Sequence, residues 1–443
     1  MIRVFIKDEN FEAISIDADI FKYLYLRGNS FLINTSGSSE MDVVQRELYN
    51  LLTEITGKSA EWGIMTGVRP LKIAFNVYKE TSSFNLMRNI LKEKYLLSDK
   101  KISLLTQIIK YQIKYINKSK KNTVSVYIGI PFCPTLCEYC SFASSVAEDN
   151  YLEQYIKNLL NEISYMGQLM RENRASIESL YIGGGTPTVL SLNQIKRLLE
   201  AVKNSMEIDI DKIEFTVEAG RPDTITSEKL QYMRDYGVSR ISINPQTMKD
   251  DTLKKIGRKH TSDEIKKAYN LVLQYGYKVI NADIIAGLPD ESFEDFVNTL
   301  NEVLTLGANN ITVHTLSVKK GSKLKENNPD FFRRNSEIVN KMLDYSRNRL
   351  VSEGFYPYYI YRQKHQIGFL ENVGYCKPGT HSLYNVRIME EMQTIIGLGA
   401  GAVGKIYYPD EDRIERVPNV SNHIVYNKRI DEIIQRKNKY YGG

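Results

Sequence analysis

A chain of 443 residues, 42% apolar and 25% charged, has the make-up of an ordinary water-soluble globular protein of two or three domains, which excludes a fibrous or disordered polymer. The net charge of +6 is mild, and Lys and Arg are scattered rather than striped; this fits a small anionic ligand at least as well as a nucleic acid, and no nucleic-acid partner is expected. No apolar run is long enough to span a bilayer, and "MIRVFIKDENFEA" carries acids where a signal peptide has its apolar core, so a cytoplasmic protein without a membrane partner is expected.

Residues 1–117 are expected to form an α+β N-terminal domain. It opens on a short strand, "IRVFI", and turns helical. In "DVVQRELYNLLTEITG", Val44, Leu48, Leu51, Leu52 and Ile55 share one helical face, and "SDKKISLLTQIIKYQIKYINK" repeats the pattern with Leu104, Ile108, Ile109 and Ile113. The polar, cationic "NKSKKNTV" then reads as a linker.

From Val124 to about residue 320 the pattern becomes a regular alternation. Six short β-rich runs appear: "VSVYIGIPF", "SLYIGGGT", "IEFTVEA", "RISINPQT", "KVINADIIAG" and "NITVHTLSV". Amphipathic helices lie between them. The first carries Leu152, Tyr155, Ile156, Leu159, Ile163, Met166 and Met170, and another opens on the capping-box pattern "SLNQ" before Ile195, Leu198, Leu199 and Val202. Strand then helix, six times, predicts an α/β fold with a parallel sheet, either an open doubly wound sheet or a curved partial barrel, whose chemistry gathers at the strands' C-terminal ends. Residues 321–443 are less regular: a helix from Asn335 to Glu353, the tyrosine-rich "FYPYYIYRQKHQIGF", and short segments expected to cover a substrate.

Only four cysteines occur, and three of them, Cys133, Cys137 and Cys140, fall within eight residues directly after the first strand of the alternation. In a reducing compartment such a group reads as metal ligands or redox centres rather than disulfides. Three converging thiolates suit zinc or an iron–sulfur cluster. Structural zinc wants a fourth ligand close by, yet the next histidine is His260 and the remaining cysteine is Cys376. A three-cysteine loop without a fourth partner fits a 4Fe–4S cluster with one iron left open to a ligand.

This CxxxCxxC loop, with Tyr139 before its last cysteine, resembles the signature of the radical S-adenosylmethionine (SAM) enzymes, whose fold is a partial (β/α)6 barrel of the TIM type. The resemblance runs strand by strand through "GGGTPT", "VEAGRPDT" around Glu218, "SINPQT" with Gln246, "IGRKH" with Arg258 and "ADIIAGLPD" with Asp283. That ordered set, over roughly residues 124–320, is similar to the oxygen-independent coproporphyrinogen III oxidase group, which also holds a haem-chaperone branch. "GIPFC", "EAGRPD", "MTGVRPLKI" and "LYNVRIMEEMQTIIGLGAGA" are most similar to its HemZ-type coproporphyrinogen dehydrogenase-like branch. Gly129 stands where the oxidase and chaperone branches usually carry His, a departure that removes a proton donor or substrate contact.

The resemblance implies a 4Fe–4S cluster on Cys133, Cys137 and Cys140, and SAM held by Tyr127, Tyr139, Gly183, Gly184, Gly185, Thr186, Glu218, Gln246, Arg258 and Asp283. Backbone carbonyls of the glycines would reach the SAM amino group, Arg258 would fork its carboxylate, and Gln246 and Asp283 would bind ribose hydroxyls. Glu218 would take the amino group or a second ligand. His314 and His381 are the candidates for substrate contact or proton transfer; His381 falls near the haem-contacting histidine of the chaperone branch, without that pattern's tryptophan. Cys376 is expected to be inert. The activity implied is oxidative decarboxylation of the propionates of a tetrapyrrole, coproporphyrinogen III, to vinyls, with electrons from a donor such as flavodoxin or ferredoxin. Two other readings share the scaffold: a radical SAM enzyme on another substrate, such as a methyltransferase or haem-degrading enzyme, and a haem-binding carrier.

"GAGAVG", Gly399–Gly404, satisfies GxGxxG, but a strand-like stretch follows it where a dinucleotide site or P-loop needs a helix, so it is expected to be a turn or a wall of the site.

Overall fold

The computed structural model describes residues 2–4, 14–16, 40–120, 122–140, 144–146, 148–317, 336–363 and 366–441. The expected strand beyond Val4, Val318, the first residue of the Asn335 helix and His365 lie outside them. The chain divides into two compact units: Met1–Thr66 with Val77–Ser103, and Gly67–Asn76 with Leu104–Gly443. The expected segment 1–117 is shared between the two, while residues 124–443 fall in one.

In the first unit β1 (Ile2–Val4) and β2 (Ile14–Ile16) pair antiparallel, Ile2 opposite Ile16. The helix Glu40–Thr56 occupies the segment whose apolar spacing predicts it. Another, Phe84–Glu93, starts where the Ser83 hydroxyl accepts from the Leu86 amide, and it buries Met87 and Leu91 on one stripe.

The second unit is built on an eleven-stranded sheet among the described residues. β3 (Thr123–Ile130) leads into β4 (Phe132–Cys133), which pairs in parallel with β5 (Ser145–Val146) outside that sheet. β6 (Ser176–Gly184) lies parallel to β3, and β7 (Glu214–Glu218), β8 (Arg240–Ser242), β9 (Val279–Ala286) and β10 (Asn310–Thr315) follow in parallel order. These are the six strands of the predicted alternation. Val126, Ile128, Leu180, Ile182, Val217 and Ile311 share one face of the sheet by register and are all buried, as the helix-covered face requires.

The helices follow their apolar stripes. All seven residues of the stripe predicted for Asp149–Glu172 are buried, and Ser191 and Gln194 close the expected capping box, each side chain accepting from the other's amide. In Asp99–Tyr115, Leu104, Ile108 and Ile109 are buried but Ile113 is exposed. At 100° per residue, position 113 lies off the stripe, which continues through the buried Tyr111 and Gln112.

The C-terminal region extends the same sheet at both edges. β11 (Tyr356–Tyr361) and β12 (Asn372–Cys376) continue it antiparallel beyond β10. At the other edge β13 (Thr394–Leu398) lies parallel to β3, with Thr394 opposite Val124, and β14 (Val403–Tyr408) and β15 (Arg413–Pro418) follow antiparallel. "GAGAVG" makes the β13–β14 turn and enters β14, so the strand expected after it is present. Gly399 has φ of +84°, and a Cβ there would stand 2.5 Å from both the Gly129 carbonyl oxygen and the Tyr155 hydroxyl. Glycine is therefore needed for close approach to β3, not for a phosphate. The turn also occupies the slot beside Gly129, where a Cβ would come within 2.9 Å of the Ala400 carbonyl oxygen. From the Asp149–Glu172 helix, Glu162 accepts from the Gly399 amide, Asn419 and Tyr426, and pairs with Lys437 at 3.1 Å; both partners of that pair are buried. Lys437 donates in turn to the Gly397 carbonyl.

Candidate active site

Parallel strands deliver their C-terminal ends to one edge, so the loops that follow them meet there. Cys133 closes β4, and Cys137 and Cys140 lie on the loop that follows; none of the four cysteines forms a disulfide. Backbone contacts hold the loop. The Glu138 amide donates to the Ile256 carbonyl and the Cys140 amide to that of Cys137, both at 3.1 Å. The glycine run after β6 closes against it: the Gly185 amide donates to the Ile130 carbonyl and the Thr186 amide to that of Phe132, both at 2.8 Å, while the Thr186 hydroxyl lies 3.6 Å from the Cys133 sulfur as donor. A Cβ on Gly185 would stand 2.5 Å from the Phe132 carbonyl oxygen and 2.9 Å from that sulfur, so only glycine lets β6 seat on the cysteine loop. Burial pushes the Cys133 thiol up, partly offset by Thr186 and by the charge of Arg221.

This edge encloses a cavity of about 780 Å³. Cys133, Cys137, Cys140, Tyr127, Tyr139, Gly184, Gly185, Thr186, Glu218, Gln246, Arg258, Asp283 and His314 all line it. Gly183 adjoins it, since a Cβ there would meet the Glu218 carboxyl at 3.0 Å. Glu218 accepts from the Tyr181 hydroxyl at 2.6 Å and the Gly184 amide at 3.2 Å; burial pushes its carboxyl up to about 7, with the nearby Asp283 adding to the rise. Burial also works against an ionised Asp283, yet His314, Asn281 and Thr312 outweigh it and hold that carboxyl below the usual range. His314 Nε2 lies 3.6 Å from Asp283 Oδ2, and its Nδ1 is 3.3 Å from the Tyr361 hydroxyl. Gln246 holds a left-handed backbone, φ +66°, with its amide on the Asp283 carbonyl at 2.9 Å, a strained position of the kind that functional sites retain. Arg258 is buried, its Nη1 donating to the Asn244 carbonyl at 2.6 Å and the Gly220 carbonyl at 3.2 Å.

Sequence reasoning passes over several of the cavity's residues. Tyr181 forms a cluster of three mutually stacked rings with Tyr127 and Tyr384, ring centroids 6.0 Å and 4.6 Å away. Its position was legible: two residues before Gly183 on a strand puts it on the same face. Tyr384 carried no such signal, because its short helix, Leu383–Glu390, lies in the irregular-looking region and is oriented by Glu214, which accepts from the Ser382 hydroxyl and the Leu383 and Tyr384 amides. Arg221, Asn244 and Tyr361 line the cavity as well.

His381 is not brought to this cavity. It follows β12, which runs antiparallel to β10, so the chain leaves β12 at the opposite end of the sheet. There its Nδ1 lies 3.2 Å from the Tyr111 hydroxyl, and its carbonyl and that of Thr380 each accept from Arg240 at 2.9 Å. Cys376 is buried beside Tyr111 and Tyr358, and burial pushes its thiol up to about 12, the inert environment expected of it.

Residues 127–303, the β3 to β9 stretch and the helix after it, match the model of the radical SAM superfamily. Over 396 residues, 88% of this chain and 79% of the relative, the sequence is 40% identical to the oxygen-independent coproporphyrinogen-III oxidase-like protein HemZ of Bacillus subtilis. The chain belongs to the radical SAM superfamily, in its oxygen-independent coproporphyrinogen III oxidase-like group. Within that group it is also 28% identical over 292 residues to the heme chaperone HemW of Escherichia coli, covering 65% of this chain and 71% of the relative. The fold is that of the coproporphyrinogen III oxidase HemN of Escherichia coli, a solved radical SAM enzyme, with TM-score 0.57 at 21% identity over 72% of each chain. The partial (β/α)6 barrel of these radical SAM proteins is the sheet from β3 to β10. No described helix is long and apolar enough to cross a membrane.

Radical SAM proteins use a 4Fe–4S cluster and SAM, and the residues here fit both. The three thiols share one loop. No three His, Cys, Asp or Glu among the described residues are placed to hold a single metal ion, whereas a four-iron cluster takes its thiolates at three corners of a wider body. Gln246 Oε1 and Arg258 Nε are buried without hydrogen-bond partners among the described residues, an acceptor and a donor for a polar cofactor.

Proposed function

We propose that this radical SAM protein oxidatively decarboxylates propionate side chains of coproporphyrinogen III to vinyls without oxygen. The observation that carries the reading is the cavity itself, lined by the cysteine loop, by His314, Asp283 and Tyr361, and by the tyrosine cluster Tyr127, Tyr181 and Tyr384. When bound, the cluster and SAM would supply a carbon radical able to abstract one hydrogen atom from a propionate, and the electron left over as carbon dioxide departs would pass to an external one-electron acceptor. The chain's own part is to position and to seal. Cys133, Cys137 and Cys140 would ligate the cluster; Arg258, Gln246, Glu218 and Asp283 supply polar contacts for SAM; and the β13–β14 turn closes one flank against water. His314, bracketed by Asp283 and Tyr361, is the group placed to hold or move a proton at the far wall.

The chaperone relatives raise a second reading, a haem carrier. His381 does not support it, because its Nδ1 faces Tyr111 away from the cavity. Anaerobically reconstituted protein supplied with reductant and coproporphyrinogen III is expected to release 5'-deoxyadenosine and carbon dioxide together. Haem binding without any substrate-dependent SAM cleavage would reject the enzyme reading for the carrier; SAM cleavage without carbon dioxide would leave a radical SAM enzyme with another substrate.

A further inference from the structure

Arg221 follows β7 in "EAGRPD" and lines the cavity beside the cysteine loop. Its side chain is 3% exposed. One nitrogen, Nη1, donates to the Thr135 carbonyl within the cysteine loop at 3.5 Å, which orients the guanidinium. Nε and Nη2 are buried and have no hydrogen-bond partner among the described residues. Nε is ion-paired with Asp223 Oδ1 at 3.4 Å, without a hydrogen bond, and the Asp223 side chain is 36% exposed.

The identity of the two nitrogens without hydrogen bonds matters, Nη2 with no partner and Nε with a partly exposed carboxylate that a ligand could displace. Nε–H and Nη2–H point in parallel from one edge of a planar guanidinium, and that edge matches the two oxygens of a carboxylate. A buried charged donor left unmade costs more than a neutral one, so two on a single edge favour a ligand able to satisfy both. Nearby, Arg258 has spent Nη1 on backbone carbonyls and keeps Nε unpartnered, so two guanidiniums with vacant donors face one cavity. His260 adds no third charge: burial and the two arginines push its imidazole down to about 3.

We propose that the Nε–Nη2 edge of Arg221 binds a carboxylate in the cavity, distinct from the carboxylate contact expected of Arg258. Two sources offer this chemistry. One is the methionine end of SAM; the other is a propionate of the substrate, and only that second source rests on the decarboxylase reading above.

The test compares wild type, Arg221→Gln and Arg221→Lys, each reconstituted anaerobically, by equilibrium dialysis with SAM, with decarboxylated SAM and with coproporphyrin III. Iron content and melting temperature are read on the same samples. If the cofactor is the source, Arg221→Gln weakens SAM binding about tenfold or more, roughly 1.4 kcal/mol, leaves decarboxylated SAM unchanged, and Arg221→Lys falls between because it keeps the charge but not the fork. If the substrate is the source, SAM binding is unchanged and coproporphyrin III binding falls by a similar factor. Unchanged affinity for both overturns the proposal, and so does an equal loss for SAM and decarboxylated SAM, which would assign Arg221 to bracing the Thr135 loop. Should Arg221→Gln not fold, Arg221→Lys carries the same comparisons. If wild type releases no carbon dioxide while Arg221→Gln still shows the SAM-specific loss, the decarboxylase reading is refuted and this one stands.

Discussion

Among single residues, Glu218 shows how environment sets chemistry. It closes β7 and was legible as a polar interruption at a strand end, but its state was not: the stacked Tyr181 that bonds it comes from a neighbouring strand. Its ordinary value is 4.5 and the folded value is about 7. Across that window the folded protein holds a proton that the unfolded chain has released, so stability is fully present below 4.5 and falls as pH rises through 7. In SAM-free protein, Glu218→Gln is expected to remove this loss, flattening stability across the window. The difference should be on the order of 1–3 kcal/mol, discounted for the open cavity. Melting curves at half-unit pH steps decide it; identical slopes for both proteins would refute the account. The cysteines stood out without such a neighbour, three within eight residues after a strand, and the cluster they would hold came with the family resemblance.

Elements differ in legibility for a topological reason. β3 and the five strands β6 to β10 announce themselves because, the short β4–β5 pair aside, each pairs with the next one in sequence with a helix between. β13 does not: five residues long, it has meaning only beside β3. The fate of His381 has the same origin, because nothing local says that β12 runs antiparallel and carries its end away from the chemistry. The β13–β14 turn yields a paired prediction. At Gly399 an alanine would meet the Gly129 carbonyl and Tyr155 as well as a left-handed backbone; at Gly401, φ +76°, a Cβ would meet nothing within 4 Å. Gly401→Ala should cost about 1 kcal/mol, and Gly399→Ala about 2–4 kcal/mol together with loss of bound iron on anaerobic reconstitution. Equal costs by urea unfolding would show that the close approach to β3 is not what selects glycine.

At the scale of the molecule, the C-terminal helix Ile430–Tyr441 is tied into the barrel by Lys437, whose ammonium meets Glu162 in the core. Hydrophobic patterning cannot foresee such a pair, because a lysine on a charged helix normally faces water. Lys437→Met should destabilise by about 3–5 kcal/mol, since Glu162 is left charged and unmatched, and adding Glu162→Gln should recover part of that loss. Chemical denaturation of both variants is the measurement; additive losses in the double variant would mean that the two groups act independently. The placement of β13 beside β3 has a further consequence for how the protein is made. A ribosome delivers the cysteine loop long before Thr394 emerges, so a nascent chain presents its three thiols on a barrel whose flank is still missing. Chains that stop before Thr394 are expected to take up less iron on anaerobic reconstitution than the full polypeptide, which their absorbance checks.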